Sequence, residues 1–262
     1  MRKIRLMLAS LLGLAMTMAL PSAKADDVLR VATEGAYPPF NWIDSDGSVK
    51  GFDVDMTYAL CEKIGRECEL VVQDWEGMIP GLLAKKYDII IASMSITDER
   101  KKKVDFTGKY YQTPDRFVAR KGSGLEVTAE GLNGKRIGVQ RATTQHCYLD
   151  KFHSDAEIVL YAVQEDGYSD LASGRIVAYV ADGIQIEEAL LKSEGGDDFE
   201  LIGSVLDDAG CLGEGAGIAL RKGNEELRDQ LTQAIQDMRA DGTYKSINDK
   251  YFSFDVYGAE PN

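Results

Sequence analysis

The chain has 262 residues, with 43 Asp and Glu against 30 Lys and Arg and a formal net charge of −13. That length allows a sizeable core and two lobes. The acidity argues against nucleic acid and anionic membrane surfaces as partners. It suits attraction of a cation, although acidity for solubility alone is the blander reading.

Residues 1–25 read as a secretory signal peptide. Arg2, Lys3 and Arg5 form a basic n-region. Leu6 to Leu20 is apolar apart from Ser10, Gly13 and Thr17, and Ala23-Lys24-Ala25 supplies an A-x-A site. Cleavage after Ala25 and export are expected. The run is short for a membrane span.

Apolar strands then alternate with amphipathic helices. Val28 to Thr33 reads as a strand and Phe52 to Lys63 as a helix, with Phe52, Met56 and Leu60 on one stripe. A strand over Glu69 to Val72, a helix over Met78 to Ala84 and a strand over Tyr87 to Ala92 follow. The pattern restarts after about residue 120. Strands are expected at 136–139, 158–161 and 177–181, and helices at 144–152, 166–172 and 185–191. This alternation implies α/β lobes with mixed, mostly parallel sheets flanked by helices. A last strand over Gly217 to Arg221 and a helix over Glu225 to Met238 cannot bury a core alone. They must pack back on a lobe. The simplest organisation inserts residues 113–214, as lobe 2, into a lobe 1 made of 26–112 and 215–262. Two extended crossings, near Tyr111–Arg116 and Ala209–Gly215, would form the hinge.

Four cysteines remain in this exported chain, where disulfides are permitted. Cys61 ends a helix and Cys68 begins the next strand, so a bridge would staple the two. Cys147 and Cys211 are left as a second pair whose state stays open. No metal site is expected, since the cysteine spacings and the two histidines, His146 and His153, do not complete a ligand set.

The most informative stretch is Ala92-Ser93-Met94-Ser95-Ile96-Thr97-Asp98-Glu99-Arg100. Small hydroxyl residues end a buried strand, and an arginine follows one short turn later. Open N–H groups, hydroxyls and a guanidinium fork can grip a small carboxylate. The stretch holds no nucleophile–base pair, which points to capture rather than chemistry. Taken alone, Arg100 reads as a surface ion pair with Asp98, and Ser93 and Ser95 as caps of a short helix.

Five blocks carry a specific resemblance. They are Ala32 to Phe40 (ATEGAYPPF), Gly51 to Asp55, Ser93 to Arg100, Gly138 to Gln145, and Asp241-Gly242-Thr243-Tyr244. In order and spacing they resemble the periplasmic polar amino-acid-binding proteins of ABC importers, solute-binding protein family 3. The likeness is nearest to the lysine/arginine/ornithine, histidine and arginine binders. It implies a type II periplasmic-binding-protein fold: two α/β lobes on a two-strand hinge, closing on a ligand. It also implies an inner-membrane ABC permease as partner, with no catalytic residue and no cofactor. The sequence suggests a monomer.

The resemblance further implies site roles. Arg100 would pair with the ligand α-carboxylate, with Ser93, Met94 and Ser95 beside it. Asp182 would take the α-ammonium; without the family it could equally be a helix N-cap. Thr144 and Gln145 open a helix whose N–H groups face outward. Glu34, Tyr37 and Trp75 would read the side chain, the two aromatics by cation–π contact. Gln140 stands where relatives are apolar, near the α-group pocket. Arg141 is expected on the rim. Glu34 with Ala92 tilts the ligand toward L-arginine over lysine, ornithine or histidine. An opine binder and a cyclohexadienyl-dehydratase-like enzyme are the alternatives.

Overall fold

A computed structural model of the protein describes residues 28–258. The expected signal peptide lies outside the described residues. The chain builds two five-stranded sheets, each the centre of one lobe.

The first lobe opens with β1 (Val28–Thr33) and a small antiparallel sheet of β2 (Ala36–Tyr37), β3 (Asn41–Ile43) and β4 (Val49–Lys50). Helix α1 (Phe52–Lys63), β5 (Glu67–Val72), α2 (Met78–Leu83), β6 (Ile89–Ile90), α3 (Asp98–Lys101) and β7 (Asp105–Tyr111) follow. The chain then enters the second lobe: β8 (Asp115–Arg120), α4 (Ala129–Leu132), β9 (Arg136–Gln140), α5 (Thr144–Phe152), β10 (Glu157–Tyr161), α6 (Gln164–Ala172), β11 (Ala178–Asp182), α7 (Gly183–Ile186) and β12 (Phe199–Ile202). A short α8 (Ala209–Leu212) leads back to β13 (Ala216–Leu220), α9 (Glu225–Asp241) and α10 (Thr243–Tyr251).

Strand order is β5-β1-β6-β13-β7 in one sheet and β10-β9-β11-β8-β12 in the other. In each, three strands run parallel and the last two pair antiparallel. The returning strand β13 lies between β6 and β7, so the second lobe is an insertion in the first.

The sheets are buried on both faces, and period-two alternation decides which core each side chain joins. Leu29, Val31, Ile89 and Ile91 face the cluster under α1, α9 and α10, whereas Ala32, Ile90 and Ala92 face the one with Met78 and Leu82. In the second lobe Tyr179 and Ala181 face one side, and Ala178 and Val180 the other. Helix α9 buries Leu231, Ala234, Ile235 and Met238 at helical spacing. Gly242, at φ 86°, ends it in the left-handed region.

Two expectations need correcting. The strand expected over 87–92 spans only Ile89–Ile90, because Ser93 adopts a positive φ of 56° and turns the chain away. The second crossing is not extended throughout. Ala209–Leu212 winds into a helical turn, since the Asp208 carboxylate accepts the Cys211 N–H (2.9 Å) and Cys147–Cys211 ties that turn to α5. Both cysteine pairs are bridged, with Cα separations of 6.1 Å for Cys61–Cys68 and 5.5 Å for Cys147–Cys211.

Candidate functional site

The carboxyl ends of the parallel strands of both sheets face one another across a cleft of about 1420 Å³. Such strand ends are where open α/β sheets hold ligands, because the chain leaves the sheet there and exposes loops and helix N-termini. Glu34 follows β1, and Ser93 and Ser95 follow β6. Gln140 ends β9, Thr144 and Gln145 open α5, and Asp182 ends β11. With Tyr37, Trp75, Ala92 and Arg100, all of these line the cleft.

Met94 does not. Its side chain is 1% exposed and packs with Ala32, Met78 and Ile90, because alternation from Ser93 turns it into the core.

Arg100 lies in the first turn of α3, whose N-cap is Thr97 rather than either serine; the Thr97 hydroxyl accepts the Arg100 N–H (3.2 Å). The guanidinium turns back over the strand end and donates to the Ser95 carbonyl (2.8 Å). It stands 5.2 Å from the centroid of the Trp75 ring. No carboxylate among the described residues pairs with it, and Asp98 pairs with Lys101 instead. Burial lowers its pKa to about 10, so it stays charged. A half-buried fork without a carboxylate is poised for one.

Ser93 faces the other way. Its hydroxyl donates to Asp53 (3.0 Å) and its N–H to the Tyr110 hydroxyl (3.0 Å). Asp53 also accepts from Asn41 (2.8 Å) and Tyr110 (2.8 Å), and the Asn41 side chain accepts the Gly35 N–H (2.8 Å). This buried knot fixes both the Ser93 bend and the turn after Glu34. Only the family block around Asp53 hinted at it in the sequence.

Three of the acids that line the cleft cluster around Tyr37 and have no basic partner among the described residues. Burial pushes Glu34 up to about 7, against the hydrogen bond from Gln140. Burial pushes Asp182 up to about 6, against the Thr113 hydroxyl. Burial and then the charge of Asp182 push Asp115 up to about 7. Asp182 also caps α7, with Oδ1 accepting the N–H groups of Ile184 (2.8 Å) and Gln185 (3.2 Å). Its capping role and its place in the cleft coexist. Sequence reasoning missed Asp115, since nothing local separates it from a hinge-side polar residue.

Gln140 reaches Glu34 rather than the Arg100 end. Its Nε2 donates to Glu34 Oε1 (2.7 Å) and to the Ala162 carbonyl (3.0 Å). Gln164 donates to Gln140 (3.4 Å), and the Tyr168 hydroxyl stands between Gln164 (3.2 Å) and Gln185. This polar chain links Glu34 to the helix that Asp182 caps.

The lobes touch at three further places. Trp75 Nε1 and Arg100 Nη2 both donate to the Ala142 carbonyl (3.2 and 3.5 Å), and Arg141 pairs with Glu76 (2.8 Å). Arg141 is therefore on the rim. The conformation is a closed one.

Residues 29–254 match the bacterial extracellular solute-binding proteins, family 3. The chain belongs to that family. The L-arginine-binding protein of Pseudomonas aeruginosa is 45% identical to this family 3 protein, over 99% of this chain and 100% of that one. The lysine/arginine/ornithine-binding periplasmic protein of Escherichia coli is 38% identical over 98% and 100%. Among solved structures, an ancestral arginine-binding protein bound to arginine superposes with a TM-score of 0.80 at 35% identity, covering 87% of this chain and 99% of that one. This family 3 protein is thus a two-lobed solute-binding protein of amino-acid ABC transport.

Proposed function

We propose that the protein captures a cationic L-amino acid, L-arginine ahead of lysine, ornithine and histidine, and delivers it to an inner-membrane ABC permease. The observation that carries this is the charge layout around Tyr37 and Trp75: among the described residues, the Arg100 guanidinium has no carboxylate partner, and Glu34, Asp115 and Asp182 have no basic one. A ligand with one carboxylate and two cationic groups complements it. Arg100 takes the α-carboxylate, helped by Ser95 and the N–H groups of Thr144 and Gln145. Asp182 takes the α-ammonium. Glu34, held by Gln140, takes the guanidinium, and Tyr37 and Trp75 flank the aliphatic stem. Ser93 acts through the Asp53 knot. Lobe 1 comprises residues 26–112 and 215–262, and lobe 2 residues 113–214. Each lobe holds part of the ligand, so the ligand favours closure through its differential contacts.

The similarity to named arginine and lysine/arginine/ornithine binders supports this reading. The periplasmic place named for the lysine/arginine/ornithine binder supports a periplasmic one for this protein, which we read as a monomer released by cleavage after Ala25. The site is read as binding without turnover, since three carboxylates repel the dianionic substrate of a dehydratase.

A thermal-shift screen tests the proposal. Ligand stabilises by RT ln(1 + [L]/Kd), about 2.7 kcal/mol at a hundredfold excess over Kd. L-Arginine should give the largest shift, with smaller ones from lysine, ornithine and histidine. A larger shift with glutamine or glutamate would sink the cationic reading.

A further inference from the structure

We propose that Asp115 is a second α-ammonium ligand, forming with Asp182 a two-carboxylate cage that admits a free α-amino group and rejects an Nα-carboxyalkylated one. The proposal rests on the cationic reading of the cleft and extends it to the α-nitrogen.

Asp115 starts β8 directly opposite Asp182, which ends β11. Residues so paired bring their side chains to one face about 5 Å apart, where like charges repel. Both line the cleft, and no Lys or Arg pairs with either among the described residues. Asp182 is buried and Asp115 half-buried, and two neighbouring carboxylates that share no basic side chain are best satisfied by a cation held between them.

The hydrogen bonds divide the work between them. Asp182 Oδ1 accepts two main-chain N–H groups and Oδ2 accepts the Thr113 hydroxyl. Both of its oxygens therefore already serve α7 and the first crossing between the lobes. Asp115 Oδ1 accepts from Gln145 Nε2 (2.5 Å), and Oδ2 has no donor among the described residues. Asp115 thus brings the open acceptor, and Gln145, expected to touch ligand, is a positioning residue for it. An ammonium carries three donors and can bridge the two acids. The groups facing Asp115 are Asp182 across the sheet, Gln145 from α5, and the side of the cleft holding Tyr37 and Glu34; Arg116, next in sequence, turns away to the Gly203 carbonyl (3.0 Å). An opine carries a carboxylate on the α-nitrogen and would meet two like charges.

Titration calorimetry of the wild-type protein, D115N and Q145A with L-arginine, Nα-acetyl-L-arginine and octopine tests this. D115N should weaken L-arginine about tenfold or more and leave the acetylated ligand, which has no charge at that nitrogen, within about twofold. Q145A should fall between the two proteins. D115S repeats the test with a smaller neutral side chain, and melting curves confirm that each variant folds. D115N within twofold of wild type for L-arginine, equal losses for both ligands, or tighter octopine than L-arginine in the wild type each overturn the cage. The last of these leaves the cationic reading standing. A wild type that binds no cationic amino acid overturns that reading instead.

Discussion

Glu34 shows how one side chain can set a preference. It is 7% exposed, its Oε1 accepts from Gln140, and its Oε2 has no donor among the described residues. A guanidinium offers two parallel donors to such a carboxylate, whereas a neutral side chain offers no charge. Glu34→Gln keeps the shape and removes the charge. It should weaken L-arginine by about tenfold or more, since hydrogen bonds to charged groups contribute roughly 1.5–3 kcal/mol. L-Glutamine, measured by competition, should change little; equal losses for both would remove Glu34 from the specificity role. Residues such as Glu34, Arg100 and Asp182 are legible in the sequence through the family resemblance; taken alone they read as a solvated acid, a surface ion pair and a helix cap. Asp115 is not, because its significance lies in pairing with Asp182, 67 positions away, and strand register is invisible locally. Gln140 likewise gains meaning only when the lobes close and bring it to Glu34. Ser93 was legible as part of the site, but its inward turn depends on Asp53 and Tyr110, both remote in sequence.

At the scale of elements, helices with either a periodic stripe, as from Phe52, or a side-chain cap, as at Thr143, are the readable ones. Phe52–Lys63 and Thr144–Phe152 have the bounds expected of them. The antiparallel strands β7, β8 and β12 escaped notice, since edge and hinge strands carry Lys, Arg, Asp and Gly among their apolar residues and blur the alternation. The crossing through 209–212 also misled, because a polar, glycine-bearing run reads as extended until Asp208 caps it and a disulfide anchors it. That disulfide matters to the site. It ties α8, on the returning crossing, to α5, whose first turn supplies Thr144 and Gln145. Its sequence separation is 64, against 7 for Cys61–Cys68. Loop-closure entropy then gives about 4 kcal/mol for the first bridge and about 2.5 kcal/mol for the second. The double change Cys147→Ser with Cys211→Ser should lower the melting temperature more than Cys61→Ser with Cys68→Ser. It should also weaken ligand binding, which the second pair should leave alone. Calorimetric melting with and without L-arginine checks both statements, and the reverse ranking would show that the crossing is held by packing instead.

The whole molecule is shaped by carboxylates drawn into its interior with no basic partner among the described residues. Burial pushes Glu34 and Asp115 up to about 7, and Asp53 and Asp182 up to about 6. In the folded, ligand-free protein each keeps its proton through a range in which the unfolded chain, near pH 4, has lost it. These four acids outnumber the one buried imidazole, His153, whose pKa burial lowers and whose slope is opposite, so the folded state binds more protons and stability falls as pH rises through 6 to 7 and is regained as pH drops. Exposed acids such as Asp44 and Asp241 are held low by Lys50 and Lys63, stay charged over this range and add no slope. A bound cation reverses the preference of the three cleft acids, because it needs them ionised. Lowering the pH from 8 to 5 should therefore raise the melting temperature of the ligand-free protein while weakening L-arginine. The added stability from saturating ligand should shrink over the same range. Asp53, tied into a fixed knot away from the cleft, should contribute to the first trend only. Glu34→Gln should flatten part of both. Calorimetry at pH 8, 7, 6 and 5 reads the two trends together, and L-arginine binding that tightens toward pH 5 would contradict the assignment of these acids to the cation. The opposed slopes follow from one design: acids placed where only a cationic ligand, arriving with closure, can neutralise them.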